Sequence, residues 1–324
     1  MDWIANAFDA AQQALYETVV QPVVFALGFG NLLEDAFDAT GWLLWGVIQV
    51  VVILVGIGIL ERRWPVEPVT DHGAVRVDVV YTLIHRLGLV RLLMFFSIDP
   101  VWDAIASELR LAGLPTWHLD SLWPGVTDIA WVSLAVYLVV FDFVGYWLHR
   151  FQHQFNWWWA LHSLHHSQRQ MTMWSDNRNH LLDDVLIATA FALLARFIGV
   201  EPGQFVAITV ITQLLESLQH ANARITFGAV GERLLISPRF HRRHHSIGVG
   251  HESGGRGTLG GHNFGVLLPV WDLLFRTGDF EHRFDATGVR DQLPDEGGRD
   301  YGAGFWRQQW LGLTRLVTSF RKSA

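Results

Sequence analysis

The chain has 324 residues, of which 50% are hydrophobic and only 17% carry a charge, against about a quarter in ordinary soluble domains. With 16 Trp and 21 Phe, this composition indicates a membrane protein with interfacial aromatic residues and excludes a disordered or fibrous chain. The net charge of −7 gives no overall basic surface for nucleic acid, and the absence of cysteine excludes disulfides and thiolate metal sites. Any metal must therefore be bound by nitrogen or oxygen ligands.

The first membrane span is predicted at 41–60, a stretch without a charged residue. At about 1.5 Å per residue its length matches a hydrocarbon core of about 30 Å. Residues 1–40 contain acidic residues but no Lys or Arg, which is typical of an amphipathic lead-in and not of a signal peptide. Arg62 and Arg63 follow the span, so the positive-inside rule predicts that this end faces the cytoplasm.

The further membrane segments are less uniform. Residues 77–98 are long enough to cross the bilayer but contain charged side chains, and 129–148 form the next span, which returns the chain to the inside. Between them, 99–128 are acidic and contain three prolines, which predicts an outside loop. Residues 185–200 and 205–218 are apolar but short of a full span, so we expect a helical hairpin that enters the membrane from the cytoplasmic side.

Two more polar segments follow. Residues 237–299 are too charged to enter lipid, and 305–324 place aromatic and basic residues at helical spacing, as in an interfacial helix. We therefore divide the chain into an N-terminal membrane region with a lead-in and two spans (1–126), a histidine-rich catalytic region (127–290) and an interfacial tail (291–324).

Eight of the 16 histidines form one HxxxH and two HxxHH clusters near the predicted cytoplasmic ends of spans. Residues i, i+3 and i+4 share a helix face, so each HxxHH is expected to present three imidazoles to a common point. A single HxxxH is more often a hydrogen-bonding pair, but three buried clusters would leave many ring nitrogens unsatisfied unless metal binds them. Imidazole suits Zn, Cu, Fe and Ni alike, and the absence of HExxH disfavours the familiar zinc peptidases. The cluster residues are His149, His153, His162, His165, His166, His241, His244 and His245.

These clusters and their surroundings resemble the membrane fatty acid hydroxylase/sterol desaturase superfamily. In that family an HxxxH is followed by two HxxHH boxes, as it is here. Similar segments, covering about residues 128–280 in order, are 142–150 (DFVGYWLHR), 159–167 (WALHSLHHS), 219–222 (QHAN), 237–246 (SPRFHRRHHS), 263–265 (NFG) and 271–277 (WDLLFRT). The conjunction of motifs is far more specific than any one box.

The resemblance implies a metal centre with no catalytic side chain beyond it. Its ligands would be the eight cluster histidines, His220, and His180, which follows an Asn-Arg-Asn where some relatives have a further ligand. Asp142 and Asp184 would orient ligand histidines by hydrogen bonds. Glu216, one helical turn before His220, would be a ligand or a support.

Three residues after the last box complete the expected site. His262 is expected to form hydrogen bonds, and Asn263 begins the matching NFG segment. His251, in the glycine-rich run, would either support the ligands or lie in a mobile loop.

The family's fold would be an all-α integral membrane protein with about four to five membrane helices or half-helices and a cytoplasmic helical cap that carries the histidine boxes. The implied enzyme is a non-haem diiron oxygenase that hydroxylates or desaturates a lipid with O₂, and zinc can replace iron during purification. The sequence contains no flavin or dinucleotide fingerprint, so electrons would come from a ferredoxin- or cytochrome-type protein. The near-absence of Lys suggests a bacterial inner membrane.

Two alternatives remain at this point. One is a zinc-dependent membrane lipid hydrolase that uses metal-activated water. The other is a histidine-rich membrane protein that binds metal or haem, although the position of the clusters at span ends disfavours a transporter.

Overall fold

The computed structural model describes residues 2–247 and 260–321, and these residues form helices and turns with no β-strand. This confirms the predicted all-α class; His251 lies outside the described residues. In chain order the α-helices are α1 (Asp2–Leu15), α2 (Gln21–Ala26), α3 (Leu33–Val52), α4 (Gly58–Arg63), α5 (His72–Arg86), α6 (Leu89–Ser97), α7 (Asp99–Leu111), α8 (Ala130–Gln154), α9 (Asn156–His166), α10 (Leu181–Ile198), α11 (Pro202–Gln219), α12 (Gly228–Gly231), α13 (Pro238–His244), α14 (Val270–Leu274) and α15 (Phe305–Arg321).

Two helical stretches of the described chain are long and apolar enough to cross a membrane. They are Gly30–Arg63, which joins α3 to α4 through a π-helical turn, and Ala130–Gln154. The pair α5 and α6 gives a third candidate span, bent by 50°. The span predicted at 41–60 lies within the first stretch, and the span predicted at 129–148 begins one residue before the second.

The bend between α5 and α6 lies next to a close crossing with α3. Gly88 adopts a left-handed conformation (φ 82°), which ends α5 and starts α6 at the new angle. A Cβ on Gly46 would lie 1.7 Å from the carbonyl oxygen of Arg86, so only glycine permits this approach. The Arg86 side chain is buried and donates a hydrogen bond of 2.7 Å to Asp176. The crossing therefore fixes the position of the Arg86 guanidinium, which lies beside the histidine-rich part of the fold.

Helices α10 and α11 form the predicted hairpin and are longer than expected. Each has 18 residues, a length of about 27 Å, close to the thickness of the hydrocarbon core. The turn uses Gly199 in a left-handed conformation and Pro202 at the start of α11. Because α10 begins just after His180 and α11 ends just before His220, the open ends of the hairpin lie at the level of the histidine boxes.

The prediction of a loop at 99–128 is wrong in part, because α7 occupies Asp99–Leu111. Pro100 lies in the first turn of α7, where a missing N–H costs no hydrogen bond. A proline that indicates a loop in the sequence therefore begins a helix here.

The tail forms helix α15, which packs along α9. Gln308, Gln309 and Gly312 are buried on the packed side, whereas Trp306 and Trp310 are exposed, consistent with an interfacial helix. Through this contact the tail supports the helix that carries the second histidine box.

Candidate metal centre

Nine of the ten predicted ligand histidines form two groups, within each of which one ring nitrogen per residue lies within 4.8 Å of the others. Helix α8 supplies the HxxxH, α9 the first HxxHH and α13 the second, and His220 follows α11. The larger group is His149, His153, His162, His166 and His244, and the smaller group is His165, His220, His241 and His245.

Each HxxHH is divided between the two groups, so the expectation that its three imidazoles share one point is wrong. His162 and His166 belong to the larger group, and His165 to the smaller. In the last box the smaller group takes the i and i+4 positions, and His244 points to the larger group. The reason is helical geometry: at 3.6 residues per turn, i and i+4 are about 40° apart, but i+3 and i+4 are about 100° apart. Each box thus links two sites.

The smaller group is arranged as a ligand set. The Nε2 atoms of His220 and His165 are 3.2 Å apart, and those of His241 and His220 are 3.0 Å apart. The Nε2 of His245 lies 3.1 Å from that of His241. Nitrogens bound about 2.0–2.1 Å from one metal ion lie about 3 Å from each other, so these four imidazoles have the spacing of ligands.

Backbone carbonyls orient three of the ligand rings through Nδ1. His149 Nδ1 is 3.0 Å from the oxygen of Phe264, and His220 Nδ1 is 2.8 Å from that of Glu216. His244 Nδ1 is 2.7 Å from the oxygen of His262. A carbonyl accepts only from a protonated nitrogen, so Nδ1 carries the proton and Nε2 presents its lone pair to the centre.

A carboxylate performs the same function for His162. Asp183 Oδ2 lies 3.2 Å from Nδ1 of His162, and the same carboxylate accepts hydrogen bonds from Gln152 and Trp158. Nε2 of His162 is buried and has no hydrogen-bond partner among the described residues. A buried ring nitrogen without a partner is costly, and a metal ion would satisfy it. The residues present therefore fit a metal.

Burial also keeps the ligand rings neutral. It lowers the pKa of His165 and His241 well below the usual range, and the neighbouring imidazoles lower it further. Burial lowers the pKa of His220 as well, although the nearby Asp176 opposes this effect. Neutral imidazole is the form that binds metal, so these rings need no deprotonation at pH 7.

Two aspartates hold the loop that orients His149. Asp272 accepts hydrogen bonds from the backbone N–H groups of Phe264 (2.9 Å) and Gly265 (2.8 Å). Asp142, predicted to support a ligand directly, instead accepts from the backbone of Leu267 at 2.7 Å and from Trp271. Both carboxylates therefore act through the backbone segment next to the centre.

Asn263 has a structural role in the same loop. It adopts a left-handed conformation (φ 59°), and its amide donates to the carbonyl oxygens of Phe240 (3.0 Å) and Asp279 (3.1 Å). His262 forms a hydrogen bond, as expected, between its Nε2 and the carbonyl oxygen of Arg243. These bonds attach the loop to the last box.

Three buried arginines support the last box from behind. Arg239 donates to Glu232, and Arg243 pairs with Asp279 and Asp285. Arg242 donates to Glu67, with a distance of 2.6 Å. Loss of one partner from a buried ion pair strongly destabilises a protein, because the other charge is left buried and unpaired. These pairs therefore fix the position of α13.

Two of the expected site residues have other contacts than predicted, and a third, Glu216, has the expected supporting role. His180 lies outside both groups: its Nε2 is 2.9 Å from the oxygen of Gln309, and its Nδ1 accepts from the N–H of Leu182. Asp184 pairs with His85 at 2.8 Å, whereas its neighbour Asp183 orients a ligand. Glu216 supports His220 through its backbone oxygen.

A large, mostly apolar cavity leads to both groups. Its volume is about 1170 Å³, and it runs between α3, α6, α10 and α11. Five of the ligand histidines line it, together with the side chain of Glu216. Those histidines are His149, His162, His165, His220 and His241.

The comparisons with known proteins agree with this geometry. Residues 134–277 match the family model of fatty acid hydroxylase. The ornithine lipid hydroxylase OlsE of Rhizobium tropici is 25% identical over 278 residues, 85% of this chain and 79% of that protein. No solved structure matches.

Two eukaryotic relatives match over less of their length. The alkylglycerol monooxygenase of Homo sapiens is 28% identical over 66% of this chain and 44% of that protein. The Delta(7)-sterol 5(6)-desaturase ERG3B of Gibberella zeae is 26% identical over 47% of each chain. The match thus spans less than half of these two proteins. From the box geometry and these similarities, residues 134–277 of the chain resemble the fatty acid hydroxylase family.

Proposed function

We propose that this protein is a membrane-bound lipid oxygenase that oxidises an unactivated C–H bond with O₂ and external electrons. The carrying observation is the convergence of nine histidines into two ligand groups at one end of an apolar cavity. The family supports the reaction class, since its relatives include a lipid hydroxylase, a monooxygenase and a desaturase.

Each histidine group holds one iron ion in this proposal. The larger group provides five imidazoles and the smaller group four. Two iron ions, when bound, supply the O₂ chemistry that no protein side chain can perform. Four of the imidazole rings are already oriented with Nε2 toward the metal positions, so they need to reorganise little when metal binds. Their orienting groups are the carboxylate of Asp183 and the carbonyls of Phe264, Glu216 and His262.

The cavity wall determines what reaches the centre. Phe141, Phe191 and Phe205 form an aromatic series along it, with ring centroids 5.5 and 6.0 Å apart. Such a wall binds an alkyl chain and excludes water, which protects a strong oxidant from side reactions. The substrate is therefore a lipid that enters from the bilayer.

Electrons come from a separate ferredoxin- or cytochrome-type protein in this proposal. The histidine boxes face the cytoplasm of the source cell, because Arg62 and Arg63 end the first long span on the same side. A soluble donor can reach the centre from that side.

Metal analysis tests the proposal. The chain is purified in detergent without chelator or a histidine tag, and iron and zinc per chain are measured, with Mössbauer spectroscopy of the iron form. The expected result is about two coupled irons per chain, with O₂ uptake upon reduction and a gained hydroxyl or double bond in lipid extracts. Zinc that iron cannot replace, with no O₂ uptake, would instead support a hydrolase, and no bound metal would refute the centre.

A further inference from the structure

Arg91 is a charged side chain beside Trp42, at the outer end of the first predicted span. It lies on α6, its guanidinium carbon is 3.5 Å from the ring centroid of Trp42 on α3, and both residues line the cavity. Within residues 2–247 and 260–321, its guanidinium has no carboxylate within 4 Å and no hydrogen-bond partner. Its N–H donors therefore face the cavity.

A cation that lines the cavity with no carboxylate within 4 Å is open to an anionic ligand. Ionisable residues in membrane segments are rare and normally pair with each other or mark a ligand pathway. Stacking on Trp42 offsets part of the desolvation, but it uses the face of the guanidinium and leaves its edge donors free. Those donors have the fork geometry that matches a carboxylate or a phosphate.

Arg91 lies at the opposite end of the cavity from the histidines. One face of α11 lines the cavity from Phe205 to His220, and Phe205 contacts Trp42 with ring centroids 6.4 Å apart. Fifteen residues of helix separate Phe205 from His220, which corresponds to about 22 Å. The wall between them includes Phe141, Phe191 and Ile208 and is mainly apolar.

We propose that Arg91 binds the carboxylate or phosphate of a single-chain lipid whose alkyl chain lies along α11 toward the histidines. This deepens the oxygenase proposal and rests on it for the reaction, but not for binding. The oxidised carbon is then in the distal part of the chain and not beside the anionic group. Asp35 and Asp99 also line the Arg91 end, so a cationic lipid is the competing ligand and is included in the test.

The test measures binding without turnover. Native mass spectrometry of the detergent-purified chain, under anaerobic conditions, compares hexadecanoate, hexadecyl phosphate, hexadecanol, hexadecylamine and inorganic phosphate. We expect both anionic lipids to bind at least about tenfold more tightly than the alcohol, the amine or free phosphate. Arg91→Gln should abolish that preference, and Arg91→Lys should retain part of it, because lysine keeps the charge but not the fork.

Arg196→Gln is the matched control. Arg196 also lines the cavity, but it is already paired with Asp103 at 2.7 Å, so its loss should leave the preference unchanged. If Arg91→Gln does not fold, Arg91→Lys carries the same comparison. Three outcomes would each overturn the inference. They are a wild-type protein without an anion preference, tighter binding of the amine than of the anions, and an unchanged preference in the Arg91 variants.

Metal content separates this result from the oxygenase proposal. An anion preference in a protein that binds no iron would leave the inference intact and refute the oxygenase. Two bound irons in a protein without an anion preference would support the oxygenase proposal and refute the role of Arg91.

Discussion

Asp183 and His162 form a hydrogen bond of 3.2 Å between Oδ2 and Nδ1, and the opposite ring nitrogen of His162 is buried without a partner in the described chain. This is the arrangement in which a carboxylate orients a metal-binding imidazole and raises its basicity. The neighbouring Asp184 forms a similar pair with His85, which lies outside both ligand groups. Two adjacent aspartates thus allow a matched comparison.

Replacing Asp183 with Asn should weaken metal binding by about 10–100-fold, because His162 loses its charged partner while the volume is retained. Chelator titration of the metal-loaded protein measures this change. Asp184→Asn is the control and should leave metal affinity near the wild-type value. Equal losses in both variants would show that Asp183 has no special role.

Removing one histidine of a neighbouring pair should empty one site and leave the other. His165 belongs to the smaller group and His166 to the larger, so His165→Ala and His166→Ala should each reduce the metal content from about two ions to about one. Mössbauer spectra should show a different residual iron in each variant, and both should lose lipid oxidation.

His180→Gln serves as the control for the histidine variants. His180 bonds to Gln309 and Leu182 and belongs to neither group, so we expect full metal content. Loss of one metal in His180→Gln would mean that this residue is a ligand, as its position after Asn-Arg-Asn suggests.

The sequence predicts that the histidines converge because box spacing reflects helix geometry directly. The division of each HxxHH box between two sites is compatible with that geometry. Which histidine joins which site depends, however, on how α9 and α13 face each other. The choice between Asp183 and Asp184 could not be predicted, since the rotation of α10 against α9 decides which carboxylate reaches His162. Similarly, Pro100 is compatible with both a loop and the first turn of a helix.

Gly46→Ala should destabilise the fold by about 1–3 kcal/mol, because the added methyl group would overlap the Arg86 carbonyl oxygen and force α3 and α5 apart. Gly56→Ala is the control in the same span, where the nearest atom lies 4.0 Å away. Chemical unfolding in detergent compares the two. A stable Gly46→Ala protein would show that the crossing can relax.

The ion pair behind the last histidine box predicts a defined pH dependence. Burial alone would raise the pKa of Glu232, but hydrogen bonds from Arg239 and Ser237 outweigh this effect and hold the pKa below its usual range. A carboxyl group with a lowered pKa in the folded state stabilises the fold above its unfolded pKa, about 4.3, and loses this contribution as the pH falls. Glu232→Gln should therefore lower the free energy of unfolding by about 3 kcal/mol at pH 7.

The difference between wild type and Glu232→Gln should shrink as the pH falls below about 4, because the wild-type carboxyl group becomes neutral like the amide. Protonation of the histidines affects both proteins and cancels in this difference. Glu108→Gln, at an exposed position on α7, should show no difference at any pH. A gap between wild type and Glu232→Gln that does not shrink at all between pH 5 and pH 3 would mean that Glu232 acts through packing or neutral hydrogen bonds, and not through its charge.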